Sequence, residues 1–344
     1  MEKRKTEGYA LVAYGNAANA FQLQSFEIKS PVENEVLIEV DAFGLTYADV
    51  MARNKMYREA PPLPAILGYE VVGIVQQVGK NADTSLLGKR VVAFTRFGGY
   101  AKHVITFDSA VAVIENMPAE EALSLSTQFV TAYYMACYLA PVYPNDKVLI
   151  HAAAGGVGTA LIQLCKWRGA YVIAKIGHAE KTKLVTELGA DAVINYSESE
   201  YKQQLQTLLK NERLDVSFNP VAGSTFKKDF SMLGSGGKLI LFGGSEMSGS
   251  KWGILSTLNF VRKMGLVLPI GLMMRSKNIL GVNMLKIADN KRAVLTTCLK
   301  EVVALTHQGI LKPHVGATFK AHQIADAHAL LESGKSTGKI ALFW

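Results

Sequence analysis

Residues 147–169 read KVLIHAAAGGVGTALIQLCKWRG, and this stretch decides the fold. Its first residues form a short apolar run, as in strands that are buried in a parallel sheet. A turn of small residues, 152–158, follows, and apolar residues at helical spacing then continue to Arg168. The stretch therefore predicts a strand, a glycine turn and a helix. Small residues let such a turn approach a pyrophosphate closely, and the amides at the helix start bind the anion.

The glycine pattern alone is weak, because Ala153 stands where the strict dinucleotide-binding fingerprint has its first glycine. Its surroundings strengthen the prediction. An apolar strand at 171–176, a helix from about Ala179 to Leu188 and a third strand within 189–196 follow in order. These repeated strand–helix–strand units predict an α/β protein with a doubly wound parallel sheet. The alternative is a tight turn in some other kind of α/β protein.

The composition narrows the class of protein. With 344 residues the chain exceeds what one hydrophobic core usually holds, so two domains are expected. A hydrophobic fraction of 49% and a charged fraction of 19% are typical of a globular protein and argue against disorder. The net charge of +8 comes from scattered lysines and arginines without a nucleic-acid-binding motif. We therefore expect no nucleic-acid partner, and attraction to cofactor phosphates or to an anionic lipid surface instead.

The first residues and the cysteines favour a cytoplasmic location. MEKRKTEG at the start lacks the apolar core of a signal peptide. The longest uncharged apolar run, 264–274, is shorter than the about 20 residues that a membrane-spanning helix needs. Cys137, Cys165 and Cys298 lack paired spacing and are interpreted as reduced, buried thiols.

Several longer motifs resemble those of a known family. Three of them are AAAGGVG (152–158), LGADAVINY (188–196) and GGKLILFGG (236–244). They resemble motifs of the medium-chain dehydrogenase/reductase superfamily, in its zinc-free quinone oxidoreductase branch. Within that branch, the motifs that look most like the vesicle amine transport protein subgroup are GLTYADVMARNKMYREAPPLP (44–64), KNILGVN (277–283) and GILKPHV (309–315). The resemblance extends from about Val36 to Phe343.

The resemblance implies how the chain divides. Residues 1–126 are expected to form a GroES-like, β-rich catalytic domain, in agreement with closely spaced strands, glycines and prolines. Residues 127–285 are expected to form the Rossmann NADP-binding domain, and 286–344 to return to the catalytic domain. Active sites of open parallel sheets lie at the carboxyl ends of the strands, so nicotinamide and substrate are expected between the two domains.

The resemblance also implies the cofactor-binding residues, which are Thr131, Gly155, Gly156, Val157, Gly177, Lys181, Tyr196, Phe242, Gly243, Val282 and Asn283. An NAD-selecting protein is expected to carry an acid at the end of the second strand. This chain has Gly177 there, with Lys181 and Tyr196 matching residues that contact the 2′-phosphate in NADPH-dependent relatives and Lys175 as a further donor. NADPH is therefore the expected cofactor. Each lysine alone is also explained as a solvated surface charge, and Glu180 partly offsets them.

Thr46 and Tyr47 are the candidate catalytic residues. Tyr47 matches the aromatic residue that lies beside nicotinamide in quinone oxidoreductases, and it is a candidate for positioning or protonating the substrate. A core tyrosine or a plain pocket wall is the alternative. Thr46 stands where many relatives have asparagine. Thr131 matches a residue near the nicotinamide amide, and a helix threonine bonded to its own backbone is the alternative. His151 is close to the glycine turn, but a structural histidine is the favoured interpretation.

No metal site is expected. In zinc-dependent relatives the positions that match Thr46 and Tyr69 carry cysteine and histidine, and Glu70 with Asp49 does not replace the about three ligands that a catalytic zinc needs. Alcohol oxidation without a Lewis acid loses its main electrostatic support, whereas hydride addition to a conjugated acceptor spreads the charge into an enolate or hydroquinone. The expected function is NADPH-dependent, zinc-independent reduction of quinones or of double bonds conjugated to a carbonyl, in a small apolar substrate.

Residues 245–277, SEMSGSKWGILSTLNFVRKMGLVLPIGLMMRSK, are unusually apolar for a connection between strands. An apolar face is expected from Trp252, Ile254, Leu255, Leu258, Phe260 and Val261, and Lys251, Arg262, Lys263, Arg275 and Lys277 bracket it. Such a stretch is able to lie in a membrane interface, which makes a lipid-interacting, nucleotide-binding protein the alternative function. A lid over the substrate is favoured, because Pro269 and the glycines interrupt a continuous helix. The resemblance also implies a homodimer through 278–283, which is otherwise simply a buried strand.

Overall fold

The computed structural model describes residues 3–247 and 254–344, with side chains for 4–247 and 258–344. The strands within these residues are β1 (Lys3–Leu11), β2 (Phe21–Lys29), β3 (Glu35–Leu45), β4 (Ala65–Ile66), β5 (Glu70–Val78), β6 (Arg90–Phe94), β7 (His103–Phe107), β8 (Val111–Val113), β9 (Lys147–Ile150), β10 (Tyr171–Ile176), β11 (Ala192–Asn195), β12 (Leu214–Asn219), β13 (Leu233–Leu241), β14 (Asn278–Gly281), β15 (Val315–Lys320) and β16 (Lys339–Phe343). The α-helices are α1 (Tyr47–Arg53), α2 (Ala119–Ser124), α3 (Val130–Tyr133), α4 (Gly156–Trp167), α5 (Thr182–Glu187), α6 (Tyr201–Leu209), α7 (Phe226–Met232), α8 (Ile254–Met264), α9 (Pro269–Arg275), α10 (Met284–Asn290), α11 (Arg292–His307) and α12 (Ile324–Glu332).

The chain forms two compact units. The first unit comprises Met1–Val130 together with Leu285–Trp344, and the second unit comprises Thr131–Met284. The first unit is therefore built from two pieces of chain that are far apart in sequence, whereas the second is continuous.

The second unit is built on a six-stranded sheet in the order β11-β10-β9-β12-β13-β14, in which every neighbouring pair is parallel. β9 lies in the middle beside β12, and the chain winds outward from there in both directions. Val148, Leu149 and Ile150 of β9 are fully buried, as a strand covered on both faces requires. The prediction of an α/β protein with a doubly wound parallel sheet is confirmed. Because the strands are parallel, their carboxyl ends lie along one edge, the carboxyl edge.

The first unit is rich in β structure. Its larger sheet has the order β15-β16-β3-β5-β6-β8, with β7 also paired to β3, and β2-β1-β4 form a smaller sheet. β16 lies inside the larger sheet, antiparallel to β3 on one side and parallel to β15 on the other. Burial alternates in the middle of β3, where Ile38 and Val40 are buried while Glu39 and Asp41 are exposed, and both faces are buried from Ala42 to Leu45. The predicted strand-rich domain is confirmed.

Two further observations concern predictions made from composition. None of the helices that the structure describes is both long enough and apolar enough to span a bilayer. Cys165 and Cys298 are buried, as predicted for structural thiols. The same prediction is wrong for Cys137, which is only half-buried.

Candidate functional site

The glycine turn between β9 and α4 has the geometry of an anion-binding helix start. Gly155 precedes α4 with an extended backbone, and Gly156 and Val157 are the first two residues of the helix. A Cβ atom on Gly158 would lie 2.6 Å from the carbonyl oxygen of Ala153, so only glycine lets α4 pack this close to the turn. The first amides of a helix lack partners within it and carry the positive end of its dipole. The turn therefore suits a pyrophosphate.

Most other predicted cofactor residues lie along the carboxyl edge. Those that directly follow strands are Gly177 (β10), Tyr196 (β11), Phe242 and Gly243 (β13), and Val282 and Asn283 (β14). The Val282 N–H donates to the Leu241 carbonyl at 2.8 Å, which holds the ends of β13 and β14 side by side. Thr131 is separate from this set, because it lies half-buried in α3, before β9 in the chain.

Gly177 and Tyr196 meet at this edge. The Tyr196 N–H donates to the Ile176 carbonyl at 3.0 Å, which brings the phenol ring across Gly177. A Cβ atom on Gly177 would lie 2.6 Å from Cζ of that ring, so the ring fills the space that a side chain would need. Tyr196 is nevertheless 53% exposed. A ligand at the carboxyl edge is therefore able to reach it.

Lys181 supplies positive charge next to this contact. It ends a short 3-10 helix, Ala179–Lys181, that directly follows β10 and Gly177. Burial lowers the pKa of Lys181, while the carboxylate of Glu180 opposes the shift. Residues 176–179 are Ile-Gly-His-Ala, without an acid. The end of β10 thus offers a cation and a phenol where NAD-selecting proteins carry a carboxylate.

Lys175, the further positive charge expected near Lys181 and Tyr196, points into the core, with its ammonium against the Tyr196 ring. Its side chain is only 5% exposed, because it shares a face of β10 with Ile173, and that face packs into the core beneath α6 and α7. Its Nζ lies 4.3 Å from the centre of the Tyr196 ring and 4.4 Å from that of Tyr201. Burial lowers the pKa of Lys175 to about 8, although Asp229 opposes the shift.

His151 and Asp229 continue this buried network. Lys175 Nζ lies 3.3 Å from His151 Nδ1, and His151 Nε2 lies 2.8 Å from Asp229 Oδ2. This pattern assigns the histidine proton to Nε2. Asp229 also accepts from the hydroxyls of Tyr201 and Ser217, each at 2.8 Å. Burial lowers the pKa of His151, which keeps the ring neutral despite the carboxylate. These contacts agree with the favoured interpretation of a structural histidine.

Sequence analysis missed the polar residues of β12 that complete the network. Asn219 Nδ2 donates to Asp229 Oδ2 at 2.6 Å, and Asn219 Oδ1 accepts from the amides of Val221 and Ala222, each at 2.9 Å. Ser217 and Asn219 stand two residues apart in the buried part of β12, Val216–Asn219, so they share one face of the sheet. Paired polar residues at that spacing in a buried strand are the signal that finds such a network.

Thr46 and Tyr47 lie together at the start of α1, directly after β3. The carboxylate of the fully buried Asp49 accepts from the Thr46 N–H at 2.9 Å, the Thr46 hydroxyl at 2.8 Å and the Gly68 N–H at 3.1 Å. Burial raises the pKa of Asp49 to about 6, although these donors oppose the shift. The Thr46 hydroxyl is thus committed to Asp49. Both candidate catalytic residues belong to the first unit, and all predicted cofactor residues belong to the second.

The residues around Thr46 do not suit a zinc ion. Tyr69 packs its ring against Phe97, with the ring centres 5.1 Å apart. The buried carboxylate of Glu70 is paired with the ammonium of Lys339 and accepts from the Thr127 hydroxyl. Across residues 3–247 and 254–344, no three His, Cys, Asp or Glu side chains are grouped so as to hold a metal. A phenol and an occupied carboxylate do not form the ligand set of a catalytic zinc.

The connection between β13 and β14 is anchored to the carboxyl edge where it is described. Glu246 accepts from the Ser224 N–H and hydroxyl, both at 2.6 Å, and from Lys263 Nζ of α8, also at 2.6 Å. A Cβ atom on Gly223 would lie 3.0 Å from Cδ2 of Phe260. Phe260 therefore packs on the loop that follows β12, which holds α8 against this edge.

Other apolar side chains of that connection are exposed. The large ones are Leu258, Val261, Leu266, Leu268, Ile270, Met273 and Met274. Lys251 and Trp252 lie outside the described residues, and the side chains of Ile254 and Leu255 are likewise outside the described part. The apolar face to which Trp252, Ile254 and Leu255 were assigned, and the place of Lys251 beside it, stay predictions.

Known proteins resemble this chain along most of its length. Residues 32–115 match a family model for the alcohol dehydrogenase GroES-like domain, and 156–300 match one for zinc-binding dehydrogenases. The synaptic vesicle membrane protein VAT-1 homolog of Danio rerio is 29% identical over 90% of this chain, and the match spans 64% of that protein. The quinone oxidoreductase of Homo sapiens is 27% identical over 91% of this chain and 90% of that protein. The crystal structure of Escherichia coli quinone oxidoreductase complexed with NADPH aligns over 98% of this chain and 100% of its own, with 26% identity and a TM-score of 0.86.

These similarities agree with the two units. The GroES-like match falls on the strand-rich first unit, and the parallel sheet of the second unit is the Rossmann-like part. The same fold holds NADPH in the E. coli protein. With relatives among both VAT-1 homologs and quinone oxidoreductases, the chain belongs to the medium-chain dehydrogenase/reductase superfamily.

Proposed function

We propose that this protein is an NADPH-dependent, zinc-independent oxidoreductase that reduces quinones or double bonds conjugated to a carbonyl. The observation that carries the proposal is the end of β10, where Tyr196 lies across Gly177 and Lys181 follows. A carboxylate at this place binds the ribose hydroxyl of NAD and repels a 2′-phosphate, whereas a glycine and a lysine accommodate the phosphate. The NADPH in the E. coli relative supports the same choice.

The residues proposed to hold the cofactor fall into three groups, which bind its pyrophosphate, its 2′-phosphate and its nicotinamide half. A bound NADPH would supply the hydride. The amides of Gly156 and Val157, after the turn at Gly155, are proposed to bind the pyrophosphate. Lys181 and Tyr196 are proposed to bind the 2′-phosphate. The nicotinamide half is assigned, from the family resemblance, to Thr131, Phe242, Gly243, Val282 and Asn283.

Thr46 and Tyr47 are proposed to act on the acceptor. A quinone or enone that has received a hydride carries negative charge on its oxygen, and a hydroxyl donor stabilises that charge. The Thr46 hydroxyl donates to Asp49, so Tyr47 is the better candidate for donating to the substrate oxygen. Tyr47 would orient the acceptor and supply a proton that solvent then replaces.

A screen of NADPH oxidation against quinones, enones and enals tests the proposal. We expect turnover of one of these acceptors that survives prolonged chelation, in protein without stoichiometric zinc. NADPH is expected to bind more tightly than NADH in a fluorescence titration. Equal binding of NADH would reject the cofactor assignment, and metal-dependent alcohol oxidation would overturn the reaction class.

A nucleotide-binding protein that contacts a membrane is the second candidate function. It is favoured by the exposed apolar side chains of α8 and α9 and by the basic residues beside them. The lid interpretation is favoured by Phe260, which packs inward on the loop after β12, and by the bonds of Glu246. We retain the lid as the preferred role.

Two neighbouring residues of α8 separate these roles, because Phe260 packs inward and Val261 is 57% exposed. On the lid proposal, Phe260→Ala raises the KM for apolar acceptors more than that for NADPH, while Val261→Ala changes neither. On the membrane proposal, Val261→Ala releases the protein from phosphatidylserine-containing vesicles in a flotation assay while catalysis is unaffected. Tight, salt-sensitive flotation of the unmodified protein would make membrane contact the primary role.

A homodimer in the cytoplasm is proposed as the working form. β14 forms one edge of the six-stranded sheet, with β13 on its other side, and an edge strand offers backbone groups to a second copy. Analytical ultracentrifugation tests the dimer. The Val282 N–H donates to β13, so the N–H of Gly281 points to the free edge, and Gly281→Pro, which removes that donor, is expected to yield monomers. Cell fractionation tests the location.

A further inference from the structure

The buried ammonium of Lys175 contacts the face of a residue that is exposed at the carboxyl edge. Lys175 Nζ lies 4.3 Å from the ring centre of Tyr196, within the range of a cation–π contact. The other end of the ring lies over Gly177, where a side chain would leave no space for it. Tyr196 is 53% exposed. The position of its phenol thus depends on one buried charge and one missing Cβ.

The ammonium itself is held from several elements. Lys175 Nζ donates to His151 Nδ1 at 3.3 Å, and the neutral histidine links it to the carboxylate of Asp229. The aromatic and charged groups that face it are His151 after β9, Tyr196 after β11, Glu200 and Tyr201 at the start of α6, and Lys228 and Asp229 of α7. Asp229 and Glu200 favour the charged lysine, and Lys228 opposes it. Among the described side chains no carboxylate pairs directly with this lysine, so its charge is directed at the two rings.

We propose that Lys175 is a positioning residue that fixes the Tyr196 ring across Gly177 and thereby makes the end of β10 selective for a dinucleotide with a 2′-phosphate. The inference rests on the proposed use of NADPH. It assigns a role to a side chain that is too buried to touch the phosphate. It also gives the network of His151 and Asp229 a task, which is to keep this ammonium charged and in place.

Lys175→Met tests the contact first without any cofactor. Protein with ¹³C-labelled tyrosine rings gives a resonance for Tyr196 that Tyr196→Phe identifies by its loss. The proposal expects this resonance to shift in Lys175→Met and to stay in place in Lys183→Met. Lys183 is a matched control, because it lies nearby in α5 with a side chain that is 85% exposed. An unmoved resonance in Lys175→Met would overturn the proposal.

Binding of the two cofactors tests the selectivity. In Lys175→Met, the Kd for NADPH is expected to rise roughly three- to thirtyfold, the effect of losing one cation–π contact, while the Kd for NADH changes less than about twofold. Tyr196→Ala is expected to reproduce the loss, and the double variant to lose no more than either single variant. Equal weakening of NADPH and NADH would overturn the proposal, because a general packing defect affects both.

The pH dependence of the unmodified protein supplies a test that needs no folded variant. The pKa of Lys175 is lowered to about 8, so its charge is lost as the pH rises from 7 to 9. NADPH binding is expected to weaken over that range, and the weakening is expected to be smaller in Lys175→Met if that variant folds. A flat profile would contradict the proposal. If the unmodified protein does not prefer NADPH at all, the proposed cofactor fails, whereas the cofactor-free resonance still decides whether Lys175 holds Tyr196.

Discussion

Among the side chains that the structure describes, each unit buries one lysine, and the two lysines are stabilised in different ways. Lys339 of β16 is fully buried, pairs directly with the carboxylate of Glu70 and donates to the Leu45 carbonyl at 3.2 Å. Lys175 of β10 contacts two phenol rings and a neutral histidine, with its nearest carboxylate, Asp229, one side chain away. Burial lowers the pKa of both ammonium groups.

The difference shows that a buried lysine can contribute either to stability or to ligand binding, depending on its partners. A directly paired ammonium is fixed, because removing either partner strands the other charge in the core. An ammonium held by rings and a relay is bound more weakly, and its contacts reach a residue that is exposed to ligand. The lysine of the first unit is therefore expected to support stability, and that of the second to support binding.

The largest expected effect is the loss of the first lysine. Lys339→Met leaves the Glu70 carboxylate buried without its cation, and we expect the free energy of unfolding to fall by about 3–5 kcal/mol in urea denaturation. Lys175→Met is expected to cost less than about 2 kcal/mol, because Asp229 keeps its other donors. Glu70→Gln combined with Lys339→Met is the control and is expected to recover most of the loss. Similar losses for both single lysine variants would remove the distinction.

A pair of glycine variants tests the same comparison, because Gly44 lies against Lys339 and Gly177 lies against the Tyr196 ring that Lys175 contacts. A Cβ atom on Gly44 would lie 2.6 Å from Lys339 Nζ, inside the rigid core, so Gly44→Ala is expected to cost about 1–3 kcal/mol of stability. A Cβ atom on Gly177 would displace the exposed Tyr196 ring instead, so Gly177→Ala is expected to leave stability within about 1 kcal/mol and to weaken NADPH binding. Gly271→Ala, where a Cβ meets nothing within 4 Å, is the control. A stability loss for Gly177→Ala that matched Gly44→Ala would contradict this assignment.

Buried histidines are expected to make the stability of the protein depend on pH. Burial, reinforced by the charge of Arg53, lowers the pKa of His328 from 6.5 to about 3. Below pH 6.5 the unfolded chain binds a proton there that the folded chain does not, so stability falls with acid by up to about 1.4 kcal/mol per pH unit. His328→Phe is expected to flatten this slope between pH 6.5 and 4.5, above the range where the carboxylate paired with Arg53, Glu332, is protonated. An unchanged slope would locate the acid sensitivity elsewhere, for example at His151.

The smallest expected effect on stability is at Tyr47, one of the two candidate catalytic residues. Tyr47→Phe is expected to leave unfolding and NADPH binding unchanged and to lower turnover of a conjugated acceptor by about tenfold or more. Thr46→Val is the companion variant, and it removes a hydroxyl that donates to Asp49. Unchanged turnover in Tyr47→Phe would reduce Tyr47 to a wall of the pocket.

The parts of the fold that were predictable are those set by neighbours in the chain. β9, the turn at Gly155 and α4 follow from one local pattern, and the repeat of that pattern predicts the parallel sheet. The placement of Gly177 and Tyr196 at one edge then follows, because the carboxyl ends of parallel strands meet there. Their contact with the cofactor stays a prediction.

The parts that were not predictable join residues far apart in sequence. The alternation of side chains along β10 predicts which face of the strand carries Lys175. It does not predict which helix covers that face, because this depends on the side of the sheet on which each connection crosses. Asp229 comes from a helix two crossovers later in the chain and contacts His151, the neighbour of Lys175. Glu70 pairs with Lys339, which is far from it in sequence. A lysine near the end of a strand therefore looks like a surface donor until its long-range neighbours are known.

The position of β16 determines the order in which the protein is able to fold during synthesis. Residues 131–284, with all six strands of their sheet, leave the ribosome while the last strand is still unmade. Until Phe343 is added, β3 has an open edge along Ala42–Leu45, and Glu70 lacks its cation. An unpaired strand edge is a template for association with other chains. The first unit thus exposes this part of β3 until β16 is made, whereas no strand of the second unit's sheet waits for a partner that lies beyond residue 284.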